Sequence, residues 1–197
     1  MIKNKFFLLI FTIFFQLIFY SNLSSEVLSV GDKNAKITVK VFSSLTCPHC
    51  ATFHKKIFRD LKKDYIDNGT VKFEHHAFPL DFAALNAEKI VRCASKPESN
   101  FELLTKIYDE QKKWAVGSDI NKINNILIKI GKNFGLKEGD LKKCLVDEAS
   151  QELILNERIQ AQKEYDITST PTIYINDKKY EDKHEFKSFK KQLDKLL

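Results

Sequence analysis

The stretch Ile37-Thr38-Val39-Lys40-Val41-Phe42-Ser43-Ser44-Leu45-Thr46-Cys47-Pro48-His49-Cys50 decides the fold. Ile37, Val39 and Val41 alternate with Lys36, Thr38 and Lys40, the period and β-branched content of a strand. Cys47-Pro48-His49-Cys50 then opens a helix to about Tyr65, with Phe53, Ile57, Phe58 and Leu61 on its apolar face. Asp67-Asn68-Gly69 stops that helix, and Val71 to Phe78 reads as a second strand. A strand, a helix and a strand within the first 80 residues make a βαβ unit, whose strands should be parallel.

Outward from this unit, the period changes to 3.6 at Asp81 and stays helical to about residue 164. Ser95-Lys96-Pro97-Glu98 reads as a capping box before a helix carrying Phe101, Leu104, Ile107 and Tyr108. Ser118 or Asp119 caps the next helix, which bears Ile120, Ile123, Leu127, Ile130 and Phe134 and stops at Gly135. A short helix holds Leu141, Cys144 and Leu145, and another runs from about Asp147 to Glu164. Thr172 to Ile175 and Lys178 to Tyr180 are strands joined by a turn at Asn176-Asp177, and a last helix begins near Glu185. The order is βαβ, helices, ββα. The expected class is therefore α/β, one small sheet built from residues 26–80 and 165–197, with a helical insertion at 81–164.

The chain has 197 residues and a net charge of +6. Its lysines alternate with acids along the chain, which describes a solvated surface and not a nucleic-acid stripe. Lys3 and Lys5 precede an apolar run, Phe6 to Tyr20, broken only by Thr12 and Gln16 and followed by small residues up to Ser25. This is the layout of a secretory signal over residues 1–25. A 15-residue helix spans about 22 Å against a hydrocarbon core of about 30 Å, so an uncleaved anchor is the less favoured reading. Export places the four cysteines in a compartment where disulfides persist.

At the junction of strand and helix, Cys47 meets unpaired backbone N–H groups and the positive end of the helix dipole, which favour a thiolate. Two intervening residues let Cys50 reach Cys47 within one turn, so the pair can form and open a small disulfide ring. Pro48 suits the first turn because it has no N–H to leave unpaired. His49 can add a donor or a positive charge beside the sulfur. A zinc knuckle would require a second closely spaced pair, and Cys93 and Cys144 are 51 residues apart on separate helices. Two rival chemistries stay open for the motif: a purely structural disulfide, and Cu(I) handling by Cys47, Cys50 and His49.

Cys-Pro-His-Cys after a strand, a helical insert and a later Thr170-Pro171 before a strand together resemble the DsbA-type thiol:disulfide oxidoreductases, exported proteins with a thioredoxin fold. The resemblance runs from about Ile37 to the C-terminal helix. It implies a thioredoxin-like sheet with an inserted helical domain, Cys47 as exposed nucleophile, Cys50 as buried resolving thiol, and a cis bond at Thr170-Pro171 beside the couple. It implies a periplasmic protein disulfide oxidase that donates disulfides to reduced, unfolded exported proteins. A DsbB-like membrane quinone oxidoreductase would reoxidise it, with no organic cofactor and no metal. The expected form is a monomer that binds no nucleic acid. A reductase or isomerase is the runner-up in the same chemistry, although no segment is spare for the dimerisation domain that isomerases of this fold add. A copper-binding thioredoxin-like module is the rival from another class. The related enzymes often carry a buried acid six residues before the first cysteine, and Val41 stands there. Glu74, His75 and His76 are candidates to take its place, against the reading that they are ordinary polar strand residues.

Cys93 and Cys144 lie in helical context with no neighbouring cysteine and not at a helix start. In an exported protein they are expected to form a second, structural disulfide.

Overall fold

The computed structural model describes residues 27–94 and 96–197. The expected leader at 1–25 and Ser95 of the expected capping box lie outside the described residues.

Five strands form one mixed sheet: β1 Leu28–Val30, β2 Ile37–Ser43, β3 Val71–Ala77, β4 Thr172–Ile175 and β5 Lys178–Lys179, in the order β1-β3-β2-β4-β5. The βαβ reading places β2 and β3 parallel, and they are, with Val41 opposite His75 and Ser43 opposite Ala77. β4 returns antiparallel on the other edge of β2, with Val41 opposite Ile173. β1 is not anticipated from the sequence, because three residues are too few to display an alternation. It pairs antiparallel with β3 and ends at Gly31, whose φ of 104° and approach to the Val71 carbonyl leave no room for a Cβ.

Helix α1 covers 48–66, with α turns at Pro48–Phe53 and Arg59–Leu61 alternating with π turns at His54–Phe58 and Lys62–Ile66. The helices between the two β parts are α2 Phe82–Val91, α3 Pro97–Asp109, α4 Gln111–Trp114, α5 Ile120–Asn133, α6 Glu138–Val146 and α7 Glu148–Tyr165. The last helix, α8, is Phe186–Asp194. Asp119 caps α5 by accepting from the N–H groups of Asn121 and Lys122, and Gly135 ends it at a φ of 102°. α3 starts at Pro97 with Lys96 at its N-cap and no side-chain cap bond.

The sheet face bearing Val39, Val41 and Phe73 packs on Phe53, Phe58, Phe101 and Phe189 in a continuous core. That core continues into the inserted helices through Leu104, Ile107, Trp114, Leu127 and Leu141. On the other face, Phe42 packs with Phe78, Ala161 and Ile167 under α7. Fully burying side chains of this size stabilises by about 1.5–3 kcal/mol each, so this shared core fixes where the insertion sits over the N-terminus of α1.

Candidate active site

β2 delivers the chain through Ser44 and Leu45 to Cys47, which is the N-cap of α1 with Pro48 at its first turn. The backbone stays extended at Cys47 (φ −73°, ψ 121°), so the N–H groups of the first turn point back at its sulfur. Cys47 and Cys50 are both free thiols and both buried, at 8% and 2% exposed, so Cys47 is less open than the exposed nucleophile that the resemblance implies, while Pro48 and His49 between them are exposed. Across the sulfur lies the turn before β4, where the Thr170-Pro171 bond is cis. Cys47 Sγ donates to the Thr170 carbonyl at 3.4 Å. The Thr170 hydroxyl is buried with no hydrogen-bond partner among the described residues, and it favours the charged form of both cysteines.

The two thiols are driven in opposite directions. Cys47 is held at about 5, first by the Cys50 thiol that donates to it, then by the Thr170 hydroxyl and the backbone N–H groups of Cys50 and His49; burial opposes this. Cys50 is pushed far above the usual thiol range, chiefly by burial and then by its position beside Cys47. The part of His49 that bears on the sulfur is thus its backbone N–H. Its imidazole is exposed and lies within electrostatic reach of His184, not in the donor position beside Cys47 that the sequence suggests.

The inserted helices complete the site. Gln111, on α4, is buried and donates from Nε2 to the carbonyls of Leu45 at 2.7 Å and Cys47 at 2.9 Å. Thr46 donates to Asp81 at 2.8 Å, and Asp81 in turn caps α2 by accepting from the Ala84 N–H at 2.7 Å. Beside Cys47 and Pro48 an open groove is lined by Leu80, Phe82, Ala115, Ile120 and Ile123, with Leu80 50% and Phe82 59% exposed. Large side chains left this open beside a nucleophile form an apolar contact surface.

The other sequence candidates separate. Glu74 and His76 pair with one another at 3.0 Å, and His76 packs on Phe42, on the sheet face away from Cys47. His75 points the other way, into the core, and meets Glu88 of α2. Cys93 and Cys144 are bonded to each other, joining the end of α2 to α6. Sequence reasoning misses Gln111 and Glu88. Glu88 carries a signal in retrospect, as a charge inside Phe82-Ala83-Ala84-Leu85-Asn86-Ala87-Glu88-Lys89-Ile90-Val91 with apolar residues on every side of that helix. Gln111 carries none.

A family model described as Thioredoxin matches residues 24–195. A putative protein-disulfide oxidoreductase of Rickettsia bellii is 32% identical over 147 residues, 75% of this chain and 56% of that protein. The chain thus spans little more than half the length of this relative. Disulfide bond formation protein D of Bacillus subtilis is 28% identical over 85% of this chain and 76% of its own length. The crystal structure of Wolbachia pipientis alpha-DsbA1 superposes with a TM-score of 0.81 at 28% identity, over 87% of this chain and 91% of that one.

Proposed function

The chain belongs to the Thioredoxin family, as a DsbA-type member of it, and from that premise we propose that it is an exported thiol:disulfide oxidoreductase that donates the Cys47–Cys50 disulfide to newly exported proteins. A client thiolate attacks the Cys47 sulfur, the Cys47–Cys50 bond breaks, and its electron pair leaves with Cys50. The client's second thiolate then attacks its own sulfur in the mixed disulfide and releases Cys47. The observation that carries this reading is the opposed pair of thiols. A Cys47 held at about 5 is a good leaving group, and a thiolate stabilised only in the reduced state makes the disulfide oxidising.

Residues 26–80 and 165–197 act as the thioredoxin-like unit and 81–164 as the insertion, which supplies Gln111 and one wall of the apolar groove. That groove suits the apolar stretches that only unfolded clients expose. Residues 1–25 serve as the export signal to the periplasm. Among the described residues no helix is long and apolar enough to cross a membrane. A DsbB-like membrane quinone oxidoreductase serves as reoxidant.

The test is the reduction potential of the Cys47–Cys50 couple in glutathione buffers, paired with oxidation of a reduced, unfolded protein. The expected potential lies well above the roughly −270 mV of thioredoxin. A potential at or below that value, or no transfer to the unfolded protein, overturns the assignment.

A further inference from the structure

The apolar groove beside Cys47 has a neighbour of different chemistry. Thr46 and Pro48, the residues on either side of Cys47, line both grooves, and so does Ala115. The second groove runs between α1 and α4 and is lined by Lys55, Lys56 and Lys112, with no carboxylate among its lining residues. Lys55 and Lys56 stand on α1, and Lys112 stands on α4, far from them in sequence. The place of Lys112 is set by its neighbour Gln111, whose amide holds the carbonyls of Leu45 and Cys47.

These lysines are not spent on the chain's own acids. Elsewhere the surface pairs its lysines: Lys72 with Glu74 at 2.7 Å, Lys142 with Glu138 at 2.7 Å, Lys190 with Asp194 at 3.3 Å. Among the described residues, Lys56 and Lys112 make no ion pair and no hydrogen bond, and both are exposed. Lys55 donates to the Asp109 carbonyl at 3.1 Å, which anchors its ammonium at the groove. The nearby carboxylates are taken. Asp109 accepts from Arg59 at 2.9 and 3.0 Å, and Glu110 pairs with Lys106 at 3.1 Å and Lys113 at 3.3 Å. The hydroxyls of Thr46 and Thr52 and the amide of Gln111 also donate within the chain. The donors left in the groove are ammonium groups. Nor do they serve the thiol, since the groups that hold Cys47 low are Cys50, Thr170 and backbone N–H groups of the first turn. Like charges gathered in one recess without a counter-charge attract an anion.

What reaches this recess is whatever is bonded to Cys47, because the two share Thr46 and Pro48. An extended chain advances about 3.3 Å per residue, so residues next to a client's cysteine fall in the apolar groove on one side and the lysine groove on the other. The ordinary side chains that are anionic at neutral pH are Asp and Glu. We infer that the lysine groove is a subsite for an acidic side chain one or two residues from the client's reactive cysteine. The chain therefore selects cysteines flanked by apolar residues on one side and by Asp or Glu on the other. This deepens the client-oxidising reading above and rests on it. The client carboxylate accepts from Lys56 and Lys112 while its neighbouring sulfur is bonded to Cys47, and the same charges speed encounter with acidic segments.

The experiment reads formation of the mixed disulfide by the reduced full chain. The probes are short peptides with one cysteine activated as a disulfide with thiopyridine. Leucine stands on one side of the cysteine and Glu, Gln or Lys on the other, in both orders. The Cys47 thiolate attacks the peptide sulfur, the bond to thiopyridine breaks, and thiopyridine leaves with the electron pair and is read by absorbance. Rates are taken relative to the thiopyridine disulfide of mercaptoethanol, which has no carboxylate, so a change in the thiol itself cancels. In one of the two orders the Glu peptide is expected to react about 5-fold faster than the Gln peptide at low salt, and the advantage should fade at high salt. Lys56→Gln with Lys112→Gln should abolish the advantage, and Lys112→Glu should transfer it to the Lys peptide. Equal rates for the Glu and Gln peptides in both orders overturn the inference, and so does an advantage that survives in the double variant. Binding to phosphatidylglycerol vesicles that the double variant loses, with no preference among peptides, overturns it in favour of a lipid surface. A chain that prefers the Glu peptide yet transfers no disulfide to a reduced, unfolded protein overturns the functional reading and leaves the subsite standing.

Discussion

The side-chain amide of Gln111 donates to the carbonyl oxygen of Cys47 at 2.9 Å and, from the same nitrogen, to that of Leu45 at 2.7 Å. The inserted helices therefore hold the backbone on both sides of Thr46, just where β2 hands over to α1. Donors at the Cys47 sulfur are set by the first turn of α1, so fixing the carbonyl of Cys47 fixes the angle at which those N–H groups meet the sulfur.

Gln111→Met keeps the length of the side chain and removes its donors. The Leu45 carbonyl then loses this buried partner, whereas Cys47 O keeps the Ala51 N–H at 3.2 Å. The expected cost is about 1–3 kcal/mol of stability in both redox states, read from urea denaturation. A looser first turn should also raise the Cys47 pKa, read from thiolate absorbance. Full stability with an unchanged titration would mean that the amide holds nothing that matters.

The reduced protein should become more stable relative to the oxidised one as pH rises. Cys47 titrates at about 5 when folded and near 9.0 when unfolded, so the stabilisation is absent below pH 5, grows between 5 and 9, and is complete above 9. The slope is at most ~1.4 kcal/mol per pH unit, less what screening by solvent in the adjoining open groove removes. Melting curves of both redox forms at pH 4.5 and pH 7.5 check the sign; a reduced form that loses stability relative to the oxidised one toward neutral pH contradicts it.

Joining Cys93 to Cys144 closes a sequence separation of 51 residues around α3, α4 and α5. In the chain-entropy account this is worth about 4 kcal/mol, so Cys93→Ala with Cys144→Ala should lower stability by that order. The bridge is remote from the helix N-terminus that activates Cys47. A mild thiol that reduces Cys47–Cys50 should therefore leave it intact, as alkylation and mass spectrometry would reveal.

The parts of this molecule that the sequence makes legible are those in which neighbours along the chain are also neighbours in space. Ile37, Val39 and Val41 alternate because they share a sheet face, and Asp119 caps α5 through N–H groups two and three residues on. The Cys-Pro-His-Cys turn is legible for the same reason. Gln111 acts on backbone carbonyls 64 and 66 residues away, and any side chain can stand above a carbonyl, so no residue type at the other end announces it. His75 and Glu88 are 13 residues apart on a strand and a helix, and only the packing of α2 on the sheet brings the imidazole and the carboxyl together. His49 errs in the other direction. Its place beside the cysteines suggests a side-chain donor, and helix geometry turns the imidazole outward while its backbone N–H faces the sulfur.

Thr170→Val tests the electrostatic account with a fixed sign on each redox form. The Thr170 hydroxyl is buried and unpartnered among the described residues, and it lowers the pKa of Cys47. Its one favourable partner is therefore a thiolate, which exists only in the reduced protein. Valine has the same shape without the polar atom. In the oxidised protein, whose sulfurs carry no charge, the substitution removes an unsatisfied buried hydroxyl and should raise stability by about 1 kcal/mol. In the reduced protein the thiolate loses a donor, the Cys47 pKa rises, and each unit of rise removes about 1.4 kcal/mol at a pH between the old and the unfolded value. Both changes favour the disulfide, so the couple must become more reducing, by about 30 mV for each unit of pKa and further by the oxidised-state gain. Thiolate titration, a glutathione equilibrium and melting of both forms measure the three quantities separately. A more oxidising couple, or an oxidised form that melts lower, would mean that the hydroxyl supports the turn and not the sulfur.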